Sequence, residues 1–233
     1  MKTRIFYDVE ATSVARDADP ISIGLVAVTE TPWMVDVNIL ANYGDTYEQQ
    51  IKNYLEIHPT KKEIKTIYCE FTDFNEYKCD DWVKENVVSK LYLKDLDLSN
   101  NDSECQMIST TENISKALKQ WLSQFEEIEF WADFDVIDKP MLIDLIADWN
   151  YTDVDKEKIG LPIHLPNIRY DQFFDLHTVF KIKGIDTDIS REEFSGIIHK
   201  VILLPFSNYN QTHNALFDAY ISWLCYNKLM SNE

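Results

Sequence analysis

Two carboxylates set two positions apart inside an apolar alternation constrain this chain more than any other feature. Residues 4–10, Arg-Ile-Phe-Tyr-Asp-Val-Glu, alternate as a strand does, with Ile5, Tyr7 and Val9 on one side and Phe6, Asp8 and Glu10 on the other. A strand rises about 3.3 Å per residue, so Asp8 and Glu10 lie about 7 Å apart on one face. Paired carboxylates near a core repel and are costly to desolvate unless a cation lies between them. Magnesium or manganese suits that role, because hard divalent cations prefer carboxylate oxygens. The same pattern also fits an edge strand with a solvated polar face, so partners elsewhere in the chain must decide.

The first such partner lies at the other end. From Ala215 to Leu229, the residues Ala215, Leu216, Ala219, Tyr220, Trp223 and Leu224 recur at helical spacing. Thr212 is the expected N-cap. His213 and Asp218 are five apart, which on one ideal helix is about 140° of rotation. To serve one site, His213 must stand at the loop-to-helix junction and Asp218 inside the helix. A lone histidine before a helix also reads as a surface or capping residue.

Between the two ends the pattern alternates strands and helices. Residues 21–29 read as a buried strand after a turn at 17–20, and residues 33–43 as a third strand ended by Gly44-Asp45. These three are expected to form an antiparallel meander with Asp8 and Glu10 at or beside the middle of the sheet. Residues 47–57 suit a helix, 68–77 a loop or irregular hairpin, 82–91 a short helix, and 95–102 an exposed loop. Ile114, Leu118, Trp121, Leu122 and Phe125 mark a helix over 111–125. Residues 128–132 read as a short strand, followed by an acidic turn at 133–138. A helix then begins at Asp138, with Pro140 near its first turn and Met141, Leu142, Leu145, Ile146 and Trp149 as its apolar face. Residues 151–167 read as exposed loop, 173–183 as helix or strand, 182–195 as a polar connection, and 197–204 as a strand-like run. Asp175 and His177 are expected to make a local contact.

With 233 residues, 45% of them hydrophobic, the chain can bury one sizeable core. It is expected to be a single domain over 1–233 with a variable insertion around 45–110. Its net charge of −18 speaks against non-specific binding to long duplexes, where lysine and arginine supply most of the affinity. Four cysteines, Cys69, Cys79, Cys105 and Cys225, show neither a Cys-x-x-Cys pair nor metal-spaced histidines; Cys225 is expected as a buried thiol. A reduced, cytoplasmic protein fits, and no membrane span is expected. Glycine-rich phosphate loops and a nucleophile elbow are absent from the sequence.

Asp8-x-Glu10, the run Ile21-Ser-Ile-Gly-Leu-Val-Ala and the distal His213-x-Ala-x-x-Asp218 together resemble the DEDDh branch of the 3′-to-5′ exonucleases. Trp82-Val-Lys-Glu-Asn-Val, Phe130-Trp-Ala-Asp-Phe-Asp-Val-Ile-Asp138 and the form His-Asn-Ala-Leu-x-Asp-Ala bring the likeness nearer to small exoribonucleases of the ribonuclease AS type. The resemblance implies an α/β, ribonuclease H-like fold, with a mixed central sheet and flanking helices. It implies two Mg2+ or Mn2+ ions on Asp8, Glu10, Asp138 and Asp218, with His213 as general base. The third carboxylate must come from Asp133, Asp135 or Asp138; Asp138 is the choice and Asp135 the second choice, while an N-cap aspartate is the alternative role for Asp138. Phe134 is a candidate for stacking the terminal base. The expected substrate is an RNA 3′ end, or a single-stranded DNA 3′ end, and the family implies a homodimer. Two other classes stay in view: a catalytically silent interaction module on the same fold, and a calcium-binding protein, for which the Asp-x-Asp-x-Asp-Gly spacing is missing.

Overall fold

A computed structural model describes residues 2–15, 17–31, 61–93, 106–147, 165–195 and 212–230. The expectations for 33–43, 47–57, 95–102, 197–204, Trp149, Cys105 and most of 151–167 fall outside these residues. Six strands form one mixed sheet: β1 (Lys2–Ala11), β2 (Pro20–Thr31), β3 (Lys61–Phe71), β4 (Gln106–Ser109), β5 (Glu127–Ala132) and β6 (Phe173–Asp175), in the order β4-β3-β2-β1-β5-β6. β1, β2 and β3 pair antiparallel, whereas β5 runs parallel to β1 on its other side. Asp8 and Glu10 therefore sit on an interior strand, not an edge.

The alternation in β1 sorts side chains between two cores. Ile5, Tyr7 and Val9 join Ile23, Leu25, Ile67 and Cys69 on one face, under the apolar sides of α2 (Thr111–Leu122) and α3 (Asp135–Ile146). Phe6 joins Val26, Val28 and Tyr68 on the other, under α4 (Leu176–Ile182) and α6 (Ala215–Met230). Ile114, Leu118 and Leu122 of α2, and Leu142, Leu145 and Ile146 of α3, are buried at the spacing their sequence predicts. Two short helices, α1 (Asp81–Asn86) and α5 (Arg191–Ser195), lie near the C-terminal end of β1.

Several local readings change. Residues 68–71, expected within a loop or irregular hairpin, are the end of the long strand β3 and pair with β2 as far as Glu70. The acidic Glu70 hides the strand, because its carboxylate finds buried donors that the sequence does not show: Tyr68 Oη and the backbone N–H groups of Tyr92 and Leu93. α3 begins at Asp135, so Pro140 is its sixth residue and not part of its first turn. The segment 182–195, read as a polar connection, contains α5, and Arg191 ties it to Asp133 by an ion pair of 2.5 Å. Asp175 caps α4 by accepting from the N–H of His177 at 3.0 Å, which is the local contact expected there.

Candidate active site

Three elements deliver the predicted carboxylates to one place. β1 presents Asp8 and Glu10 on the face covered by α6. β5 is parallel to β1, so the helix that follows it, α3, starts near the C-terminal end of β1 and carries Asp138 in its first turn. α6 starts above the same end and carries Asp218. Gly24 makes that approach possible. It lies opposite Asp8 in the β1–β2 register, and a Cβ built on it would come within 2.3 Å of the Leu216 backbone N and Cα. Only a residue without a side chain lets the first turn of α6 come this close to the sheet.

The loop-to-helix junction holds His213 in a defined pose. Its backbone is left-handed, φ 68°, and its N–H donates to Asp218 Oδ2 at 2.8 Å. The N-cap of α6 is Asn214 and not Thr212: Asn214 Oδ1 accepts from the N–H of Phe217 at 3.2 Å. Thr212 instead bonds Glu192 through its hydroxyl and accepts Lys90 Nζ at its carbonyl at 2.8 Å. The His213 ring stands edge-on to Trp82, centroids 4.9 Å apart, with Nδ1 4.0 Å from Glu10 Oε1. Glu10, His213 and Asp218 offer ligand atoms that all lie within 4.8 Å of one another.

The electrostatics match crowded carboxylates. Burial lifts the Asp8 carboxyl well above its usual range, and the neighbouring charges of Asp138, Glu10, Asp218 and Asp133 push it further. Burial likewise raises Glu10 to about 7, against the opposing pull of Lys90, and raises Asp218, with Glu10 adding to the effect. His213 moves the other way: burial and the Lys90 charge lower it below 6.5, so its imidazole is mostly neutral near pH 7. Asp8 Oδ2 is buried with no hydrogen-bond partner. An orphaned carboxylate oxygen beside two more strained carboxylates fits a hard divalent cation, which would relieve all three at once.

Two concavities share Glu10. One of about 320 Å³ is bounded by Asp8, Asp218, His213, Glu192 and Arg191. The other, of about 380 Å³, is bounded by Asp138, Trp82, Phe134 and Val14. Trp82 and Phe134 are about half exposed, which leaves their rings open to the second cleft.

The sequence matches no protein-family model and no curated protein. Among solved structures it is similar to the crystal structure of cell-death related nuclease 4 (CRN-4), with a TM-score of 0.51 and 13% identity over 99% of this chain. The match spans 64% of that nuclease's chain. The fold is ribonuclease H-like.

On this ribonuclease H-like sheet, Asp8, Glu10, Asp138, Asp218 and His213 gather at one end. Asp138 is inside α3, whose N-cap position belongs to Phe134, so the capping alternative for Asp138 does not hold. Asp135 is the first residue of α3, and its side chain is outside what the structure describes. Asp133 is engaged by Arg191. Sequence reasoning missed Trp82 as a neighbour of His213, Lys90 as the nearby cation and Gly24 as the contact point for α6. Gly24 had a visible signal, as the one glycine in an otherwise apolar strand, and Trp82 opened one of the stretches that carry the resemblance, whereas Lys90 had none. Among the described residues, no helix is long and apolar enough to cross a membrane.

Proposed function

We propose that this chain is a metal-dependent 3′-to-5′ exonuclease, acting on RNA 3′ ends and releasing nucleoside 5′-monophosphates. The observation that carries the proposal is the convergence of four carboxylates and one neutral imidazole, from three separate parts of the chain, on a ribonuclease H-like sheet. The likeness to the solved structure of a cell-death related nuclease supports it.

In this reading Asp8, Glu10, Asp138 and Asp218 hold two Mg2+ or Mn2+ ions. Bound there, the ions supply Lewis acidity toward the scissile phosphate and toward an attacking water. His213 takes the proton of that water; its lowered pKa keeps the ring available as a base near neutral pH. Trp82 stands edge-on to the ring and limits its rotation. The cleft between Trp82 and Phe134 receives the terminal base by stacking, which needs no particular sequence. The acidic surface restricts binding to a short or unpaired end, because few cations are present to grip a long backbone.

The test is a gel of short RNA and DNA labelled at either end, with Mn2+, Mg2+ or chelator. Stepwise shortening of 5′-labelled RNA, lost with chelator, is the expected pattern. Cleavage that starts inside the chain, or none with either metal, would remove the proposal. Faster shortening of DNA would retain the enzyme class and change its substrate.

A further inference from the structure

Glu70 is a carboxylate with 1% exposure on β3, one strand in from the β4 edge and on the α6 side of the sheet, and the reaction proposed above does not use it. A buried carboxyl group of this kind is costly and is kept in place by the hydrogen bonds it makes. Its Oε1 accepts from Tyr92 N–H at 2.7 Å, from Leu93 N–H at 3.0 Å and from Tyr68 Oη at 3.2 Å. Tyr68 Oη accepts in turn from Asn214 Nδ2 at 3.3 Å and also bonds the Ser22 side chain. Asn214 Oδ1 then caps α6 through Phe217 N–H. The bonds form one directed chain, Phe217 to Asn214 to Tyr68 to Glu70.

The register explains where this chain leads. Asp8, Gly24 and Tyr68 lie in one row across β1, β2 and β3, and Glu10, Ser22 and Glu70 in the next. Both rows run under the His213–Asn214 junction. Glu70 grips the two sides of His213 at once. Through Tyr68 and Asn214 it holds the start of α6. Through Tyr92 and Leu93 it holds the segment carrying Trp82, which touches the His213 ring, and Lys90, which bonds Thr212.

We propose that Glu70, Tyr68 and Asn214 are positioning residues for His213, a buried hydrogen-bonded clamp that fixes the ring relative to Asp8, Glu10 and Asp218. The proposal rests on His213 being the base. Misplacing such a group by about an ångström lowers turnover by as much as 100-fold without touching substrate contacts.

The test uses Tyr68→Phe, which keeps the ring and removes the hydroxyl, and Asn214→Ser, which keeps a capping oxygen and cannot reach Tyr68. Ile114→Val, buried on the opposite face, serves as a control for general destabilisation. Steady-state rates on a short labelled RNA are measured well below the unfolding temperature, together with Mn2+ titrations and the imidazole NMR signals of His213. The expected result is a kcat lower by roughly 10- to 100-fold in the two clamp variants, with KM and the Mn2+ midpoint within twofold of the parent. His213 signals should be broadened or doubled in these variants and single in Ile114→Val. Unchanged kcat with a single, unshifted His213 signal in Tyr68→Phe would overturn the clamp, and so would equal losses in Ile114→Val. If the parent shows no nuclease activity, the function proposal fails, while the NMR comparison still decides whether the clamp positions His213.

Discussion

His213 and the carboxylates around it should fail in different ways when altered. Asp8→Asn and Asp218→Asn remove oxygens that an ion would share, so both Mn2+ binding and nuclease activity should vanish together in a titration calorimeter and a gel assay. His213→Ala should keep Mn2+ binding and lower turnover by roughly two to four powers of ten. A His213→Ala protein with parental turnover would strip the residue of its role as base. Phe134 is about half exposed, and its ring meets the His177 ring edge-on with centroids 5.5 Å apart. Phe134→Ala should therefore raise KM by about 5- to 100-fold, the equivalent of one lost stacking contact, with kcat and Tm little changed.

At the scale of elements, the site depends on how α6 meets β2. Gly24→Ala would put a methyl 2.3 Å from the Leu216 backbone and 2.4 Å from Ala215 C, against main-chain atoms that cannot swing aside. The helix must shift away from Asp8, and the overpacked contact should cost about 1–3 kcal/mol or more. Urea unfolding of Gly24→Ala should show a lower midpoint with an unchanged slope, and activity should fall further than stability because Asp218 and His213 ride on the displaced helix. A midpoint equal to that of the parent would show that the junction has slack.

For the whole molecule, the crowded carboxylates make the metal-free protein sensitive to pH in an unusual sense. Glu10 titrates near 7 in the folded chain and near 4.5 when unfolded. Between these values the folded state holds the extra proton, so this group's contribution to stability is complete below about 4.5 and is lost as the pH rises through 7. Asp8 and Asp218, raised by burial, act in the same direction. In chelator, the unfolding temperature should fall by several degrees from pH 5 to pH 7.5, and Glu10→Gln should flatten that slope. Added Mn2+ should stabilise more at pH 7.5 than at pH 5, because protons compete for the same oxygens. A metal-free protein that gains stability over this range, with Glu10→Gln unchanged, would contradict the buried cluster.

The amino-acid pattern alone determined the strands and helices that carry the site. β1, β2, α2 and α6 follow from apolar periodicity, which is local, and the five-residue spacing of His213 and Asp218 placed one at the junction and the other in the helix. Residues 68–71 and the start of α3 were misread because pairing with β2 and the run-in from β5 act through contacts distant in sequence. The N-cap shifted from Thr212 to Asn214 for a similar reason: both residues cap well, and Tyr68 holds the amide while Glu192 and Lys90 occupy the threonine. Tertiary structure by itself decided that Gly24 faces Leu216, that Trp82 reaches His213, and that a glutamate fits inside the sheet. Each depends on the distance between segments that share no local pattern, and periodicity carries no information about such distances.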